Sequence, residues 1–439
     1  MRKALLLAAV LYTLNLPTLN AQTLKPRPDA FPWEPDTTAS KAIEMATTVA
    51  EMANWDRYPT YDTYQKIMQQ WQEQYPTLCH VDTIGRSVQG RLLLCMVIRG
   101  ENAYPNVHPE FFYTSTMHGD EVTGYVMMLR LIDTLLSGYG TNQQYTDLIN
   151  TVDIYINPLA NPDGTYRSGD NTVRGSMRYN ANYVDLNRNF PDPFGTAPLN
   201  GQQQETAAMI DYATAHHFRL SANLHGGSEV MNYPWDSFTS AQQQHPARNW
   251  WIQVCRRFVD TCRTMSATFM TDVTSEGYIA GGDWYVIPNG RQDYMNYYHN
   301  CLEMTMEISS VKTLSSDRLP EYWRRLQHAL VNYIGEIHAL PSSVGIDRDE
   351  DGQQGLLEIY PNPTHDKIFL SQAGFSQAGT PAYQSQAGMP SYHCLQLYNS
   401  MGYCVMQLPA DTRVVDLSTL PDGIYLLRCG NHTAKVVKQ

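Results

Sequence analysis

The sequence lacks an excess of basic residues, and beyond its first residues it lacks a long hydrophobic run. Its 439 residues include 31 Lys and Arg against 43 Asp and Glu, which gives a formal net charge of −12. This balance argues against a nucleic acid or an anionic membrane as the main partner, but it leaves room for basic ligands. Since no segment after residue 21 is long and apolar enough to span a bilayer, we expect no transmembrane helix. The hydrophobic content of 43% is that of a globular protein, and the length suggests two or three domains.

Cysteine is also sparse, with eight residues in the whole chain. This number fits an oxidising compartment without proving that disulfides form. Cys255 and Cys262 lie seven residues apart on a predicted helix. The helical rise separates them by about 10 Å, which is too far for a disulfide bond. Cys79 and Cys95 flank a predicted hairpin, and we expect them to form a local pair.

The first 21 residues have the pattern of a secretory signal peptide. Arg2 and Lys3 supply the positive charge, residues 4–14 form an apolar segment too short to span a bilayer, and 19–21 (Leu-Asn-Ala) give a cleavage site. No cysteine follows that site to carry a lipid. We therefore expect an exported, soluble protein.

Strand and helix patterns alternate through the central part of the chain, after an N-terminal arm or pro-segment at 22–60. This alternation predicts an α/β domain over 61–340, with a mixed β-sheet flanked by helices. The predicted strands are 81–84, 91–98, 111–114, 152–156, 218–224 and 302–308, and the predicted helices are 63–74, 124–136, 203–216, 248–265 and 318–337.

The composition changes at Pro341. Residues 341–355 are polar and acidic, which indicates a linker. Residues 356–439 carry several short strand patterns and no long helical pattern, so we predict a small all-β immunoglobulin-like sandwich.

One acidic motif has the spacing of a calcium-binding loop, formed by Asp347, Asp349, Asp351 and Gly352 with Glu358. No predicted helix pair flanks it, and Glu358 lies in a predicted strand. An ordinary acidic linker is therefore the expectation, with a Ca²⁺ site as the minor alternative.

The first candidate metal ligands are His118 and Glu121, which lie between a predicted strand and a predicted helix. In α/β sheets, ligands collect at the carboxyl ends of strands. A His and a Glu held there would be two of the three protein ligands of a catalytic zinc ion. Alone they could equally be a capped helix start with an exposed histidine. His225, which follows the predicted strand 218–224, is the candidate third ligand and favours the metal site.

Metal-assisted hydrolysis also needs a general base and a cation that stabilises the oxyanion. Glu303 and Glu307 lie on the same face of the predicted strand 302–308, and their spacing does not choose between them. A buried Glu paired with Lys or Arg is the structural alternative for either residue.

A series of segments, taken together, resembles the zinc metallocarboxypeptidases, and more closely the subfamily of carboxypeptidases D, E and N. The segments are 118–121 (His-Gly-Asp-Glu), 161–164 (Asn-Pro-Asp-Gly), 184–192 (Val-Asp-Leu-Asn-Arg-Asn-Phe-Pro-Asp), 224–228 (Leu-His-Gly-Gly-Ser), 232–236 (Asn-Tyr-Pro-Trp-Asp) and 305–309 (Thr-Met-Glu-Ile-Ser). The resemblance covers about residues 61–340. It implies the zinc carboxypeptidase fold, one Zn²⁺ per catalytic domain, and hydrolysis of the C-terminal peptide bond of peptides and proteins.

The same resemblance assigns the catalytic roles. Glu307 would be the general base for attack by a zinc-bound water, and Arg178 would polarise the scissile carbonyl. His118, Glu121 and His225 would be the zinc ligands, and Asp185 would orient His118.

The resemblance also assigns the substrate contacts. Asn187 and Arg188 would hold the terminal carboxylate, which a bidentate guanidinium suits. Tyr285 would be a mobile tyrosine that closes over the substrate. Asp236 and Gln292 match the pocket of members that prefer C-terminal Lys or Arg, so we expect that preference here. A surface arginine and a core tyrosine are the alternatives for single positions.

The C-terminal region resembles a different family, the C-terminal sorting domain of type IX secretion cargo. The matching segments are 360–363 (Tyr-Pro-Asn-Pro), 422–425 (Asp-Gly-Ile-Tyr) and 435–438 (Lys-Val-Val-Lys). The resemblance implies a partner in the secretion machinery and transfer across the outer membrane of a Gram-negative bacterium, to the medium or to a surface anchor. A spacer or carbohydrate-binding sandwich is the alternative. The transthyretin-like domain that normally follows the catalytic domain in the subfamily has no obvious counterpart in the sequence.

Two other functions remain open from the sequence. One is a carboxypeptidase of the same fold that trims murein peptides, against which Asp236 and Gln292 argue. The other is a surface adhesin or peptide-binding protein on an inactive scaffold, against which the complete set of ligands, base and arginine argues. We expect a monomer that acts on peptide or protein C-termini. Asp120, between the first two ligands, has no assigned role.

Overall fold

The computed structural model describes residues 42–100, 108–193, 196–198 and 200–341, and in the C-terminal part 359–360, 364–370, 394–399, 404–409, 412, 414–429 and 432–439. The predicted signal peptide and the calcium-type motif lie outside the described residues. Within the described ranges the strands are β1 (Met45–Ala46), β2 (Tyr58–Pro59), β3 (Cys79–Arg86), β4 (Leu92–Ile98), β5 (Glu110–Ser115), β6 (Asp153–Asn157), β7 (Phe218–His225), β8 (Ser228–Tyr233), β9 (Tyr278–Ala280), β10 (Leu302–Ser309), β11 (Ile359–Tyr360), β12 (Lys367–Leu370), β13 (Cys394–Asn399), β14 (Cys404–Pro409), β15 (Val414–Asp416), β16 (Gly423–Cys429) and β17 (His432–Lys438). The helices are α1 (Tyr61–Gln74), α2 (Thr123–Gly138), α3 (Gln143–Thr151), α4 (Pro162–Thr165), α5 (Gln204–Ala215), α6 (Arg248–Arg263), α7 (Gly281–Trp284), α8 (Arg291–His299) and α9 (Leu319–Gly335).

An eight-stranded mixed sheet forms the centre of the larger domain, in the order β3-β4-β6-β5-β7-β10-β8-β9. The middle strands β5, β7 and β10 run parallel to one another, whereas β4 with β6 and β10 with β8 are antiparallel. Parallel strands are usually buried on both faces, which explains why the apolar run of β5 is continuous. Phe111, Phe112 and Tyr113 are all fully buried.

Helices cover both faces of this sheet, as the sequence predicts. Apolar side chains of α1, α2, α6 and α9 form one core, and those of α5 and α8 contribute to another. Strand residues alternate between the two cores, so that Phe111 and Tyr113 face the first and Phe112 faces the second. This arrangement leaves the edge at the carboxyl ends of β5, β7 and β10 open for side chains that carry chemistry.

The expected disulfide between Cys79 and Cys95 is wrong, since both are free cysteines. In the β3–β4 hairpin, Cys79 lies opposite Ile98 and Cys95 lies opposite Asp82. The two sulfur-bearing side chains enter different cores, one on each face of the sheet. A pairing argued from hairpin position alone ignored this alternation of faces.

Residues 43–59 pack against the core that contains α1 and α2. The Tyr58 side chain is fully buried, and its hydroxyl donates a hydrogen bond of 2.9 Å to the backbone carbonyl of Leu314. Backbone bonds join the same segment to the chain beyond β10, because Ser316 donates its N–H to the carbonyl of Ala42. The described part of the predicted arm therefore supports the segment that follows β10.

The C-terminal region forms the predicted small all-β domain. A three-stranded sheet has the order β11-β12-β15, and a four-stranded sheet has the order β14-β13-β16-β17. The two sheets share a core that includes Ile368, Leu397, Val415 and Leu427. No helix among the described residues has both the length and the apolar composition that a membrane crossing requires.

The small domain contacts the larger one at α8. The rings of Tyr398 and Tyr298 meet edge to face with centroids 5.8 Å apart. The guanidinium of Arg428 lies 4.1 Å from the centre of the Tyr297 ring.

Removing the Tyr58 ring tests whether residues 43–59 belong to the core. We expect Tyr58→Ala to lower the free energy of unfolding by about 3–5 kcal/mol, because it deletes a fully buried aromatic side chain. Tyr58→Phe is the matched control, and it should cost only about 1 kcal/mol because it keeps the ring and removes only the hydroxyl with its hydrogen bonding. Urea titrations measure both values. Equal and small effects of the two substitutions would contradict the packing.

Candidate active site

Three potential metal ligands converge beyond the ends of β5 and β7. His118 and Glu121 lie between β5 and α2, and His225 ends β7. The Nδ1 atoms of the two histidines are 2.9 Å apart. Glu121 Oε2 lies 3.0 Å from Nδ1 of His118 and 2.8 Å from Nδ1 of His225. All three side chains are buried.

The donor set fits a zinc ion. The three donor atoms lie within 4.8 Å of one another, and two ligand atoms of a tetrahedral zinc ion are roughly 3.3 Å apart at normal bond lengths. Burial acts to raise the pKa of Glu121, but the neighbouring imidazoles of His118 and His225 hold it well below its usual range. The carboxylate is therefore ionised, as a metal ligand has to be.

Asp185 joins the ligand His118 to Arg178. Its Oδ1 lies 3.2 Å from Nε2 of His118. Its Oδ2 accepts a hydrogen bond from Nε of Arg178 at 3.0 Å and forms an ion pair with Nη2 of the same side chain at 2.9 Å. Burial acts to raise the pKa of Asp185, but the Arg178 guanidinium and His118 hold it well below its usual range. The contact with His118 agrees with the expected orienting role, whereas the contact with Arg178 was not foreseen.

Arg178 lies directly beside the donor set. Its Nη1 is 3.2 Å from Nδ1 of His118 and 3.5 Å from Oε1 of Glu121. The structure thus places Arg178, the residue predicted to stabilise the oxyanion, beside the predicted metal ligands. With Asp185 on the other side of the guanidinium, the orientation of Arg178 is fixed before any substrate arrives.

Two glycines allow the ligand loop to approach the Arg178 segment closely. A Cβ on Gly119 would lie 2.4 Å from the carbonyl carbon of Gly164 and 2.6 Å from the carbonyl oxygen of Met177. Gly119 also donates its N–H to the carbonyl of Arg178 at 3.1 Å, and Asn161 donates its side-chain amide to the same oxygen at 3.3 Å. The motif at 161–164 therefore holds backbone segments together rather than contributing a reactive group.

Asp120 gains a structural role that the sequence did not indicate. Its Oδ2 lies 3.1 Å from Nζ of Lys312, and the same ammonium lies 3.7 Å from Oε1 of Glu121. Burial raises the pKa of Asp120, and Lys312 opposes that rise. The hydroxyl of Thr313 also donates to the backbone carbonyl of Asp120 at 3.0 Å. The segment after β10 therefore anchors the ligand loop.

The two glutamates of β10 have different surroundings. Glu307 lies opposite His225 in the parallel register of β10 and β7, so both side chains project from the same face of the sheet. Glu303 instead forms a fully buried ion pair with Arg291, with 3.1 Å between Oε2 and Nη2. Glu303 is therefore the buried glutamate with a structural role, paired with an arginine, that the sequence analysis gave as the alternative to a general base. Glu307 remains the candidate base.

Asn187 and Arg188 lie in a short 3-10 turn directly after Asp185. The Asp185 carboxylate accepts the N–H of Asn187 at 2.9 Å and thereby starts this turn. The side-chain oxygen of Asn187 accepts the N–H of Arg291 at 3.0 Å, so the amide NH2 is the group that Asn187 can offer to a carboxylate. Arg188 is half-buried and donates from Nη1 to the carbonyl of Asn187 at 2.8 Å.

The Asp236 carboxylate lies close to Asn187, although the two residues are far apart in the chain. A Cβ on Gly290 would lie 3.6 Å from both Asn187 Oδ1 and Asp236 Oδ2. A Cβ on Gly281 would lie 1.8 Å from Asp236 Oδ1, so only glycine fits beside this carboxylate. Asp236 is buried, and its carboxyl group therefore lies next to the predicted carboxylate clamp without contact with bulk water.

Gln292 reaches the same region through Asn232. Its Nε2 donates to Asn232 Oδ1 at 3.5 Å, and its Oε1 accepts the N–H of Thr305 at 2.6 Å. A Cβ on Gly281 would lie 2.6 Å from Asn232 Oδ1, which places Asn232 beside Asp236 as well. Asn232 belongs to a recognised motif, but nothing in the sequence pattern assigned it to the pocket.

Tyr285 lies on the connection between α7 and α8. It is half-buried and packs edge to face against Trp284, with ring centroids 5.1 Å apart. The same connection is joined to the pocket, because Ile287 donates its N–H to the carbonyl of Asp236 at 3.0 Å. A residue meant to close over a substrate is thus carried by a loop that borders the predicted pocket.

Asp293 is a buried carboxyl group that the sequence analysis missed. It accepts the N–H groups of Asp236 and Ser237 at 2.8 and 2.7 Å, and so it fixes the backbone that carries Asp236. Burial raises the pKa of Asp293 to about 6. Its position directly after Gln292, a predicted pocket residue, was the one feature of the sequence that could have pointed to Asp293.

Comparison with known proteins decides the family. Residues 64–329 match the zinc carboxypeptidase family. The chain belongs to this family. Residues 358–439 separately match the secretion system C-terminal sorting domain. Both resemblances seen in the sequence motifs are thereby confirmed.

Similar proteins include several carboxypeptidases of animals. The chain is 33% identical to carboxypeptidase D of Anas platyrhynchos over 296 residues, which are 64% of this chain and 21% of that protein. It is 30% identical to the carboxypeptidase N catalytic chain of Mus musculus over 400 residues, which are 82% of this chain and 85% of that protein. The chain thus spans about a fifth of the length of carboxypeptidase D.

Solved structures agree on the fold of the larger domain. The structure of thrombin activatable fibrinolysis inhibitor aligns with a TM-score of 0.58 at 16% identity, and covers 65% of this chain and 76% of that chain. Carboxypeptidase A from Helicoverpa armigera aligns with a TM-score of 0.55 at 19% identity, over 66% of this chain and 75% of that chain. These alignments confirm the predicted zinc carboxypeptidase fold.

The raised pKa of Asp293 predicts how the stability of this carboxypeptidase-family chain depends on pH. The folded-state pKa of about 6 exceeds the ordinary value of 3.8, so the folded protein binds this proton more tightly than the unfolded chain. The ionised carboxyl therefore costs stability above about pH 6, and the cost fades as the pH falls below that value.

Asp293→Asn removes this titration. We expect its free energy of unfolding, relative to the wild type, to rise by on the order of 3 kcal/mol between about pH 4 and about pH 7. Urea titrations across this range measure the difference, with Asp260→Asn at an exposed position of α6 as the control. A difference that does not change with pH would contradict the assignment.

Proposed function

We propose that this chain is a zinc-dependent carboxypeptidase that removes single C-terminal residues from peptides and proteins, with a preference for Lys or Arg. The observation that carries the proposal is the buried convergence of His118, Glu121 and His225 beside Arg178. Membership of the zinc carboxypeptidase family supports the same reading of these four residues.

The chain's own residues supply the proton transfer and the charge stabilisation. A bound zinc ion would supply Lewis-acid activation of water and of the substrate carbonyl. Glu307, which lies beside His225 in the sheet, would take the proton from the attacking water and pass it to the leaving amine. Arg178 would donate to the oxygen that becomes negative in the transition state. Because Asp185 already holds its guanidinium, Arg178 needs little reorganisation at that moment.

Asn187 and Arg188 would restrict the reaction to the end of a chain. An amide NH2 and a guanidinium together suit a free carboxylate, which a peptide carries at its C-terminus. A peptide bond in the middle of a chain offers no such charge at this position. The clamp therefore favours removal of one residue at a time, and Tyr285 would close the site from the loop between α7 and α8.

Asp236 supports the preference for a basic C-terminal residue. Its carboxylate is buried close to Asn187, so a side chain held by the clamp extends toward a negative charge. Asn232 and Gln292 contribute neutral amide groups to the same region. An ammonium or guanidinium group would be paired there, whereas an acidic side chain would be repelled.

The C-terminal domain supports a role outside the cytoplasm. Residues 358–439 match a secretion sorting domain, and the sequence begins with a signal-like pattern. Export through the type IX machinery, to the medium or to the cell surface, is the localisation that accompanies the proposed activity. Residues 61–340 are the proposed catalytic domain, with 341–355 as linker.

The metal and the base are tested by one assay. Purified protein should hydrolyse peptides that end in Arg or Lys, lose this activity with a chelator and regain it with zinc. Glu307→Gln should lower kcat by about 10²–10⁴-fold, because it removes general-base catalysis, while the bound zinc stays equimolar with the protein. Glu73→Gln, an exposed glutamate of α1, is the control that should behave as wild type. Hydrolysis that ignores the chelator, or no hydrolysis of any peptide, would reject the proposal.

The charge in the pocket is tested by Asp236→Asn, which keeps the size of the side chain. We expect kcat/KM for peptides ending in Arg to fall by roughly 100-fold or more, because a buried charge pair is lost. The value for peptides ending in Phe should not fall with it. A preference for Arg and Lys that survives the substitution would show that another residue selects the substrate.

A further inference from the structure

The outer nitrogen of His225 has a dedicated partner on the same strand. The Nδ1 atom faces His118 and Glu121, and the Nε2 atom hydrogen-bonds to Oδ1 of Asn223. Residues two apart on a strand project to the same face, which explains why Asn223 can reach this ring. Both side chains are buried. Asn223 therefore contacts His225 in the same way that Asp185 contacts His118, because each places a side-chain oxygen against the Nε2 atom of a candidate zinc ligand.

The orientation of the Asn223 amide is set by Glu303. The Asn223 Nδ2 donates to Oε1 of Glu303 at 3.0 Å and lies 3.3 Å from Oγ1 of Thr305. A carboxylate can only accept hydrogen bonds, so the amide NH2 has to face Glu303. The amide oxygen then faces His225 and requires a proton on Nε2. The lone pair of the imidazole is left on Nδ1, where the ligand atom is needed.

Glu303 is in turn held by Arg291. The guanidinium donates from Nε to Oε1 and from Nη2 to Oε2, each at 3.1 Å, and Ser221 donates its hydroxyl to Oε2 at 2.7 Å. Both members of the ion pair are completely buried. Arg291 Nη1 also donates to Oγ1 of Thr114 at 2.8 Å, which fixes the arginine to β5. A charged chain thus runs from Arg291 through Glu303 and Asn223 to the metal-ligand histidine.

We propose that Arg291, Glu303 and Asn223 form a buried chain of positioning residues that fixes the tautomer of His225 and raises the affinity of the site for zinc. This inference rests on the proposed function, because it needs zinc at His118, Glu121 and His225. Partners of metal-binding histidines commonly change metal affinity by about 10–100-fold. The buried ion pair of Arg291 and Glu303 prevents the Asn223 amide from rotating so that its NH2 group and its oxygen exchange places.

The test measures zinc affinity directly, apart from activity. Full-length protein is stripped of metal and titrated with zinc against a chromogenic chelator. We expect Asn223→Leu, which removes both amide groups at similar volume, to weaken zinc binding by about 10–100-fold. A second variant combines Arg291→Met with Glu303→Met. Replacing a buried ion pair by apolar side chains often preserves the fold, so this variant separates positioning from folding.

Glu229→Gln is the matched control. Glu229 is a buried glutamate on the neighbouring strand β8, and it accepts a hydrogen bond from the Tyr322 hydroxyl at 2.8 Å. Its substitution should change stability without changing zinc affinity. For the test variants, saturating zinc should restore kcat, and KM should stay near the wild-type value because the bond to Asn187 comes from the Arg291 backbone.

The outcomes separate this inference from the proposed function. Folded variants that bind zinc as tightly as the wild type would overturn the positioning chain and leave the proposed enzyme intact. An equal loss of affinity in Glu229→Gln would also overturn it, since any buried substitution would then suffice. A wild-type protein that binds no zinc would reject the proposed function and the inference together. If Asn223→Leu fails to fold, the double variant gives the answer.

Discussion

The burial of charged side chains at the carboxyl ends of β5, β7 and β10 is the constraint on which the rest of the structure depends. Parallel neighbours bring these ends to one edge of the sheet, and the donor atoms of His118, Glu121 and His225 come within 4.8 Å of one another. An unpaired charge in such a place costs several kcal/mol, and three of the carboxylates around the edge have cationic partners. The pairs are Asp120 with Lys312, Asp185 with Arg178 and Glu303 with Arg291.

These ion pairs also connect segments that are distant in the sequence. Asp120 and Lys312 are 192 residues apart, and their contact ties the ligand loop to the chain beyond β10. Arg291 begins α8, where its side chain holds Glu303 and its backbone N–H holds Asn187. One helix thus contacts the strand that carries the candidate base, the carboxylate clamp and, through Tyr298, the small C-terminal domain. The geometry of the site depends on these few long-range contacts rather than on any single loop.

The sequence predicted the long, strongly patterned elements well, because each buries an apolar face of its own. The strands around β5 and β7 and the helices α2, α6 and α9 lie within a few residues of their predicted limits. It missed β8, α7 and α8, which are short and rich in polar residues or glycine. Those elements carry or border Asn232, Tyr285 and Gln292, so the pocket was reached through motif resemblance and not through a predicted structure. The Cys79–Cys95 pairing failed because hairpin position says nothing about which face of a strand a side chain takes.

By itself, the sequence determined the α/β and all-β parts and the candidate metal ligands, since strand patterns and strand ends are local properties. The candidate base was assigned by the family resemblance, because spacing does not distinguish Glu303 from Glu307. Only the tertiary structure decided how these groups are supported. Asn223 reaches His225 from the same strand, but Glu303 orients its amide only because β7 and β10 lie side by side in parallel register. Lys312 became a partner of Asp120 in the same way, through folding. A buried charge takes whichever partner the packing brings within hydrogen-bonding distance, and that choice is made by contacts between segments far apart in the chain.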